Sequence, residues 1–191
     1  MLLLGHVGYT VGGGWAAQRL GLKNRVDFRL LAFMAILPDI IDRSLFLLVP
    51  EASSGRLLAH TGLFQLLLLA VLVAMRREFW IYGLASMLHL LLDAESLTAE
   101  QALWPLLGSD LGYIGVMDTD VVTAGQPFLE RFWERLDTVT GTYAEAGTRA
   151  LLLDLGGLLI LIVFAMINRL YKGGRLFSFA RDGRSPPTGR G

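Results

Sequence analysis

The sequence predicts an all-α integral membrane protein, a bundle of about five apolar helices with one amphipathic helix at the membrane surface. Three observations lead there. Of the 191 residues, 53% are hydrophobic, and the mean hydropathy is +0.52, above what a soluble domain of this size carries. The apolar residues gather into runs that approach the ~20 residues needed to cross a hydrocarbon core of ~30 Å at ~1.5 Å per residue. The net charge is zero, yet the charges segregate. Basic residues cluster at Arg19 to Arg29, at Arg76-Arg77 and after Arg169, and acidic residues between Asp93 and Glu145, a pattern that speaks to topology and predicts no nucleic-acid binding.

Met1 to Ala17 has no charge besides His6 and is glycine-rich at Gly12-Gly13-Gly14. Without a basic start or a clear small-residue cleavage site it reads as a retained helix. The glycines do not make a phosphate loop, since no strand precedes them and no Lys-Ser/Thr follows; close helix packing suffices. Arg19, Lys23, Arg25 and Arg29 form a basic connection to a second run, Leu30 to Val49, in which Pro38 predicts a kink. Pro50 to Arg56 is a short polar link. The third run is Leu57 to Met75, the fourth Phe79 to Leu92, and the fifth, Ala150 to Tyr171, is the least ambiguous span despite Asp154. A single domain, 1–171, is expected, followed by a disordered basic tail over 172–191 marked by Ser185-Pro186-Pro187.

Residues 94–149 are a polar insertion with nine acidic and three basic residues. Within it Phe128, Leu129, Phe132, Trp133 and Leu136 recur at helical spacing, with Glu130, Arg131, Glu134 and Arg135 on the other face, which predicts an amphipathic helix lying on the membrane or over the bundle. Trp104-Pro105 reads as an interfacial anchor and Asp118-Thr119-Asp120 as a solvated turn.

If the basic links are cytoplasmic, five crossings alternate correctly. The N-terminus and 94–149 then lie outside an inner membrane and the tail inside. His6, His60, His89 and Asp93 approach one level near the outer face. Asp42, seven residues before Val49, lies about 10 Å below the end of its run, and Asp39 about a turn deeper.

That convergence points to a metal site. The chain has no cysteine, which excludes disulfides, thiolate nucleophiles and thiolate zinc and leaves nitrogen and oxygen ligands. Asp39 and Asp42 share a helix face, as do His89 and Asp93. Carboxylates inside an apolar run are costly unless paired, and imidazole with carboxylate suits Zn²⁺, Mn²⁺ or Fe²⁺. Each piece alone has a plainer account: Asp93 as a cap, Asp42 paired with Arg43 or Arg56, Pro38-Asp39 as a helix break, His60 as an interfacial cap, His6 hydrogen-bonded in a core. All three histidines and three carboxylates falling on one side favour a site. Neither a Gly-x-Ser-x-Gly elbow nor a His-Glu-x-x-His motif is present.

The succession His6, Leu37-Pro38-Asp39-Ile40-Ile41-Asp42, Arg56 through His60-Thr61, Ser86 to Asp93, Thr98 and Trp104-Pro105 resembles the membrane-bound metal-dependent hydrolases of the DUF457 group, some described as LexA-binding inner-membrane proteins and themselves similar to zinc-dependent phospholipase C and P1-type nucleases. The resemblance covers roughly residues 1 to 107. Two departures stand out: the carboxylates are three apart where the group has Pro-Asp-Ile-Asp, and Gly55 replaces a histidine. The resemblance implies hydrolysis of a lipid-like ester, most simply a phosphoester. His60, His89 and Asp93 would be ligands of a divalent metal, Zn above all, joined by Asp42 and His6. Asp39 would be a ligand or the catalytic base, and Arg56 would steady an anionic oxygen. The rival readings are a non-enzymatic membrane protein that binds or passes metal ions or protons, and a structural bundle with its acidic region as an interface.

Overall fold

The computed structural model describes residues 2–22, 26–49, 56–94, 98–107, 127–168, 179–181 and 183. Among these the fold is all-helical, with no strand: α1 Leu3–Arg19, α2 Phe28–Leu48, α3 Gly62–Met75, a 3-10 turn Arg77–Phe79, α4 Trp80–Leu92, α5 Ala99–Ala102, α6 Phe128–Ala144 and α7 Thr148–Ile167. The link at Gly55, Lys23 and Arg25, Asp118-Thr119-Asp120 and nearly all of the tail lie outside the described residues.

α2 is the central element. Its start is fixed by Asp27, whose carboxylate accepts the backbone N–H of Arg29 (2.9 Å) and of Leu30 (3.3 Å), satisfying amides that have no partner within the helix. The Asp27 N–H donates to the Tyr82 hydroxyl (2.8 Å), tying the start of α2 to α4. Phe28, Leu31 and Met34 then pack with Val11 of α1, Ile81, Tyr82 and Ala85 of α4 and Phe164 of α7 into the apolar core. Pro38 sits inside the helix and is buried. Its missing N–H removes the helical donor to the Met34 carbonyl, while α2 runs unbroken from Phe28 to Leu48.

α1 lies against α7 through glycine. A Cβ on Gly8 would overlap the Gly157 backbone, and one on Gly157 would overlap the backbone of Leu4 and Gly5, so the two backbones touch as small residues allow. Asp154, the acid of the otherwise apolar α7, accepts the Gly5 N–H (2.6 Å) at the first turn of α1. Its burial is thereby matched to a free helix-terminal amide.

The structure narrows the expectation of five crossings. Among the described residues only Thr148–Ile167 is long and apolar enough to span a membrane. α3 and α4 have 14 and 13 residues, about 20 Å at helical rise against a core of ~30 Å. α2 has the length but carries Arg29, Asp39, Asp42 and Arg43. The third run is shorter than expected for a specific reason. Leu57, Ala59 and His60 give their N–H groups to the Asp42 carboxylate and form a turn, and α3 begins only after Thr61, whose hydroxyl accepts the Phe64 N–H (3.2 Å). In α7 just 11% of the apolar window is buried. Leu151, Leu152, Leu155, Leu159 and Met166 point outward, the reverse of a helix in a soluble core.

Candidate metal centre

α1, α2, the turn before α3, and α4 bring all the expected residues together. His6, Asp42, His60, His89 and Asp93 are buried, Asp39 is nearly so, and Arg56 is partly exposed at the edge.

Each imidazole of the central pair is held by its Nδ1. His60 Nδ1 lies 2.7 Å from Asp42 Oδ2. His89 Nδ1 lies 2.8 Å from the Ala35 carbonyl, in the turn before Pro38. A carboxylate and a carbonyl accept only, so both Nδ1 atoms carry a proton, and in neutral imidazoles both Nε2 atoms would present a lone pair. These Nε2 atoms are 3.3 Å apart, and Asp39 Oδ1 is 3.6 Å from each. With both rings neutral these would be three acceptors facing one another in a buried space, an arrangement that a cation between them relieves. The point equidistant from the three atoms is about 2.0 Å from each, and zinc binds imidazole nitrogen at ~2.0–2.1 Å and carboxylate oxygen at ~2.0–2.2 Å. The other oxygen of Asp39 pairs with Arg43 one turn on (3.1 Å), so a single oxygen faces the histidines.

The two acids of α2 therefore do different things. The sequence placed Asp42 nearer the ligand layer and Asp39 a turn deeper. In the structure Asp39 faces the histidines, while Asp42, with no exposed surface, accepts from Leu57 N (2.7 Å), Ala59 N (2.8 Å), His60 N (3.1 Å) and His60 Nδ1. Gln65 steadies the same turn by donating to the Ala59 carbonyl (2.8 Å).

On the other side of His89, the His6 ring stacks on it with centroids 4.0 Å apart. His6 Nε2 is 3.1 Å from Asp93 Oδ1, and neither nitrogen of His6 makes a well-aligned hydrogen bond. His6, His89 and Asp93 thus form a second group with metal-binding spacing that shares His89 with the first. Asp93 Oδ2 accepts from Arg56 (3.0 Å), and the Arg56 carbonyl accepts from Gln101 (3.1 Å).

Ala35, Gln65 and Gln101 escape a reading of the sequence, and Arg43, offered there to Asp42, pairs with Asp39 instead. The Ala35 carbonyl has no side-chain signature. Arg43 stands four residues after Asp39, a helical pairing distance. Gln65 is a lone amide in an apolar run, and Gln101 had no signal.

The family whose sequence model matches the chain is described as "YdjM inner membrane protein", with residues 1–171 matched. No curated protein and no solved structure matches. The description fits the DUF457 group but carries no catalytic activity. The expectation of a hydrolase family akin to phospholipase C and P1-type nucleases is corrected accordingly: order and spacing of the histidines and carboxylates led to the right group and to an activity its description lacks.

Proposed function

The chain belongs to the YdjM inner membrane protein family, and from that premise we propose that it is a membrane-associated metal-dependent hydrolase built on Asp39, His60 and His89. The observation that carries the reading is the pair of pinned imidazoles whose Nε2 atoms meet each other and Asp39 Oδ1 at 3.3 to 3.6 Å.

Asp39, His60 and His89 would supply three protein donors, one fewer than a closed structural zinc site has, and would leave room for water or substrate. A bound Zn²⁺, or Mn²⁺ or Fe²⁺ on the same donors, would lower the pKa of a water and polarise an ester oxygen. The remaining work falls to the protein. Asp42 and the Ala35 carbonyl hold the two imidazoles in the Nδ1–H form, as outer partners of metal-ligating histidines do. Arg43 holds the other oxygen of Asp39, so that one oxygen would be left to ligate. The His6–Asp93 pair, stacked beside His89, is placed to take up a proton. Arg56, braced by Asp93 at the partly exposed edge, offers a cation to an anionic ester such as a phosphoester. The bundle would lie in the inner membrane as a multi-pass unit, with the N-terminus and 94–149 outside, the tail inside, and the substrate an amphiphile arriving from the outer leaflet.

Metal analysis of the purified protein, paired with turnover of a chromogenic phosphodiester, tests this. Stoichiometric metal and turnover, both lost in Asp39→Asn and His89→Ala, are expected. Folded wild-type protein that takes up no Zn²⁺, Mn²⁺ or Fe²⁺ would refute the centre, and stoichiometric metal without ester turnover would refute the hydrolase.

A further inference from the structure

α6 is built from three stripes, and its arginines face the wrong way for a surface helix. Arg131 and Arg135, four apart, are buried against the bundle. The Arg135 guanidinium donates to the carbonyls of Phe46 and Val49 (2.7 Å to the latter) and lies 4.8 Å from the Phe46 ring centroid. A cation thereby satisfies the C-terminal carbonyls of α2. Glu130, Glu134 and Asp137 form an exposed acidic stripe. Between the two lies the apolar stripe, of which Leu129 is 67% and Trp133 63% exposed, with Phe128 exposed beside them. Nothing else among the described residues covers these side chains.

We infer that the Phe128–Leu129–Trp133 stripe of α6 is an interfacial membrane anchor whose occupant is the lipid headgroup and acyl boundary. Position and composition both support lipid. α6 ends at Ala144 and the membrane-spanning candidate α7 starts at Thr148, so four residue steps of at most ~3.6 Å hold the C-terminus of α6 within ~15 Å of the start of α7. The family is an inner membrane protein family, and α7 already turns its leucines outward. Trp133 lies about 16 Å along the helix from Ala144, so an α6 lying in the plane of the interface keeps its stripe at the level where the spanning helix leaves the bilayer. Tryptophan and phenylalanine are the side chains that favour this level. The acidic stripe would face water, and because Arg135 is bonded to α2 and Arg131 is buried, insertion depends on apolar area and not on attraction to anionic lipid.

The absence of cysteine from the chain permits a direct test. Single substitutions Leu129→Cys, Trp133→Cys, Glu130→Cys and Glu134→Cys in the full-length protein, at exposed positions, would each be spin-labelled and reconstituted in phosphatidylcholine vesicles with and without phosphatidylglycerol. Labels at 129 and 133 are expected to collide more with oxygen than with a water-soluble nickel chelate, and those at 130 and 134 to reverse that ratio, equally in both lipids. Nickel accessibility at 129 and 133 equal to that at 134 would overturn the inference. So would shielding of 129 and 133 from both reagents, which would mean that a protein surface, such as a second copy, covers the stripe. An ordering seen only with phosphatidylglycerol would overturn the apolar basis of the insertion.

Discussion

Replacing Asp42 by asparagine tests the division of labour between the two acids of α2. In the wild type one Asp42 oxygen receives Leu57 N, His60 N and His60 Nδ1 and the other receives Ala59 N. Asparagine keeps one acceptor. Turned to serve the three donors, it sets its NH₂ against the Ala59 N–H, leaving that buried amide unpaired at a cost of ~1–3 kcal/mol. The bond to His60 also loses its charge assistance. The imidazole is then less firmly aimed, and removal of such an outer partner typically lowers metal affinity by roughly 10- to 100-fold. Competition titration of Zn²⁺ against a chromophoric chelator reads this directly, with thermal unfolding of the same samples recording the loss of stability. Folded Asp42→Asn protein with unchanged affinity would refute the role given to Asp42. Complete loss of metal, matching Asp39→Asn, would make Asp42 a ligand itself.

At the α1–α7 contact, Gly8→Ala drives a methyl into the Gly157 backbone; overpacking of this kind costs typically ~1–3 kcal/mol, and a lowered unfolding temperature in detergent is the expected readout, with Gly13→Ala, where a Cβ meets open space and only helix propensity acts, as the control whose unfolding temperature holds or rises. Arg135→Met removes the donor to the Phe46 and Val49 carbonyls, and proteolysis within α6 should become faster as the helix loses its hold on α2. For Asp27, partial burial pushes the carboxyl up, but hydrogen bonds from the Arg29 side chain and from the Arg29 and Leu30 amides, with the Arg29 charge, outweigh it and leave the pKa below its usual 3.8. A depressed carboxyl contributes stability that is present above the unfolded-state pKa and lost as pH falls through the folded-state value. Acid unfolding below about pH 4 should therefore be less steep in Asp27→Asn than in the wild type, as followed by circular dichroism.

Much of the centre is legible in the order of the residues. His6, Asp39, His60, His89 and Asp93 stand out because imidazoles and carboxylates in apolar runs require partners, and few other candidates exist in this chain. Assigning the two acids of α2 was not possible in the same way. Spacing puts Asp39 and Asp42 on one helix face, but a shared face does not say which acid meets an imidazole nitrogen and which meets a backbone turn. That depends on Leu57 to His60 leaving the helical path to bond Asp42. The run was apolar enough to read as helix, and side-chain hydropathy carries no trace of three amides recruited by a carboxylate fifteen or more residues earlier.

α6 divides in the same manner. Its stripes are written in the order of its residues and announce an amphipathic helix. Which stripe packs inward is decided by Phe46 and Val49, whose unpaired carbonyls at the end of α2 draw in Arg135 and leave Trp133 outside.

Composition and periodicity are thus enough to establish the helical class, the membrane character and the chemical types able to bind a cation. Which atoms face one another is settled by tertiary packing alone. The 3.3 Å approach of the two ring Nε2 atoms depends on two acceptors, the Asp42 carboxylate and the Ala35 carbonyl, that reach the rings from a different helix. The direction in which a histidine points its lone pair is set by the partner of its other nitrogen.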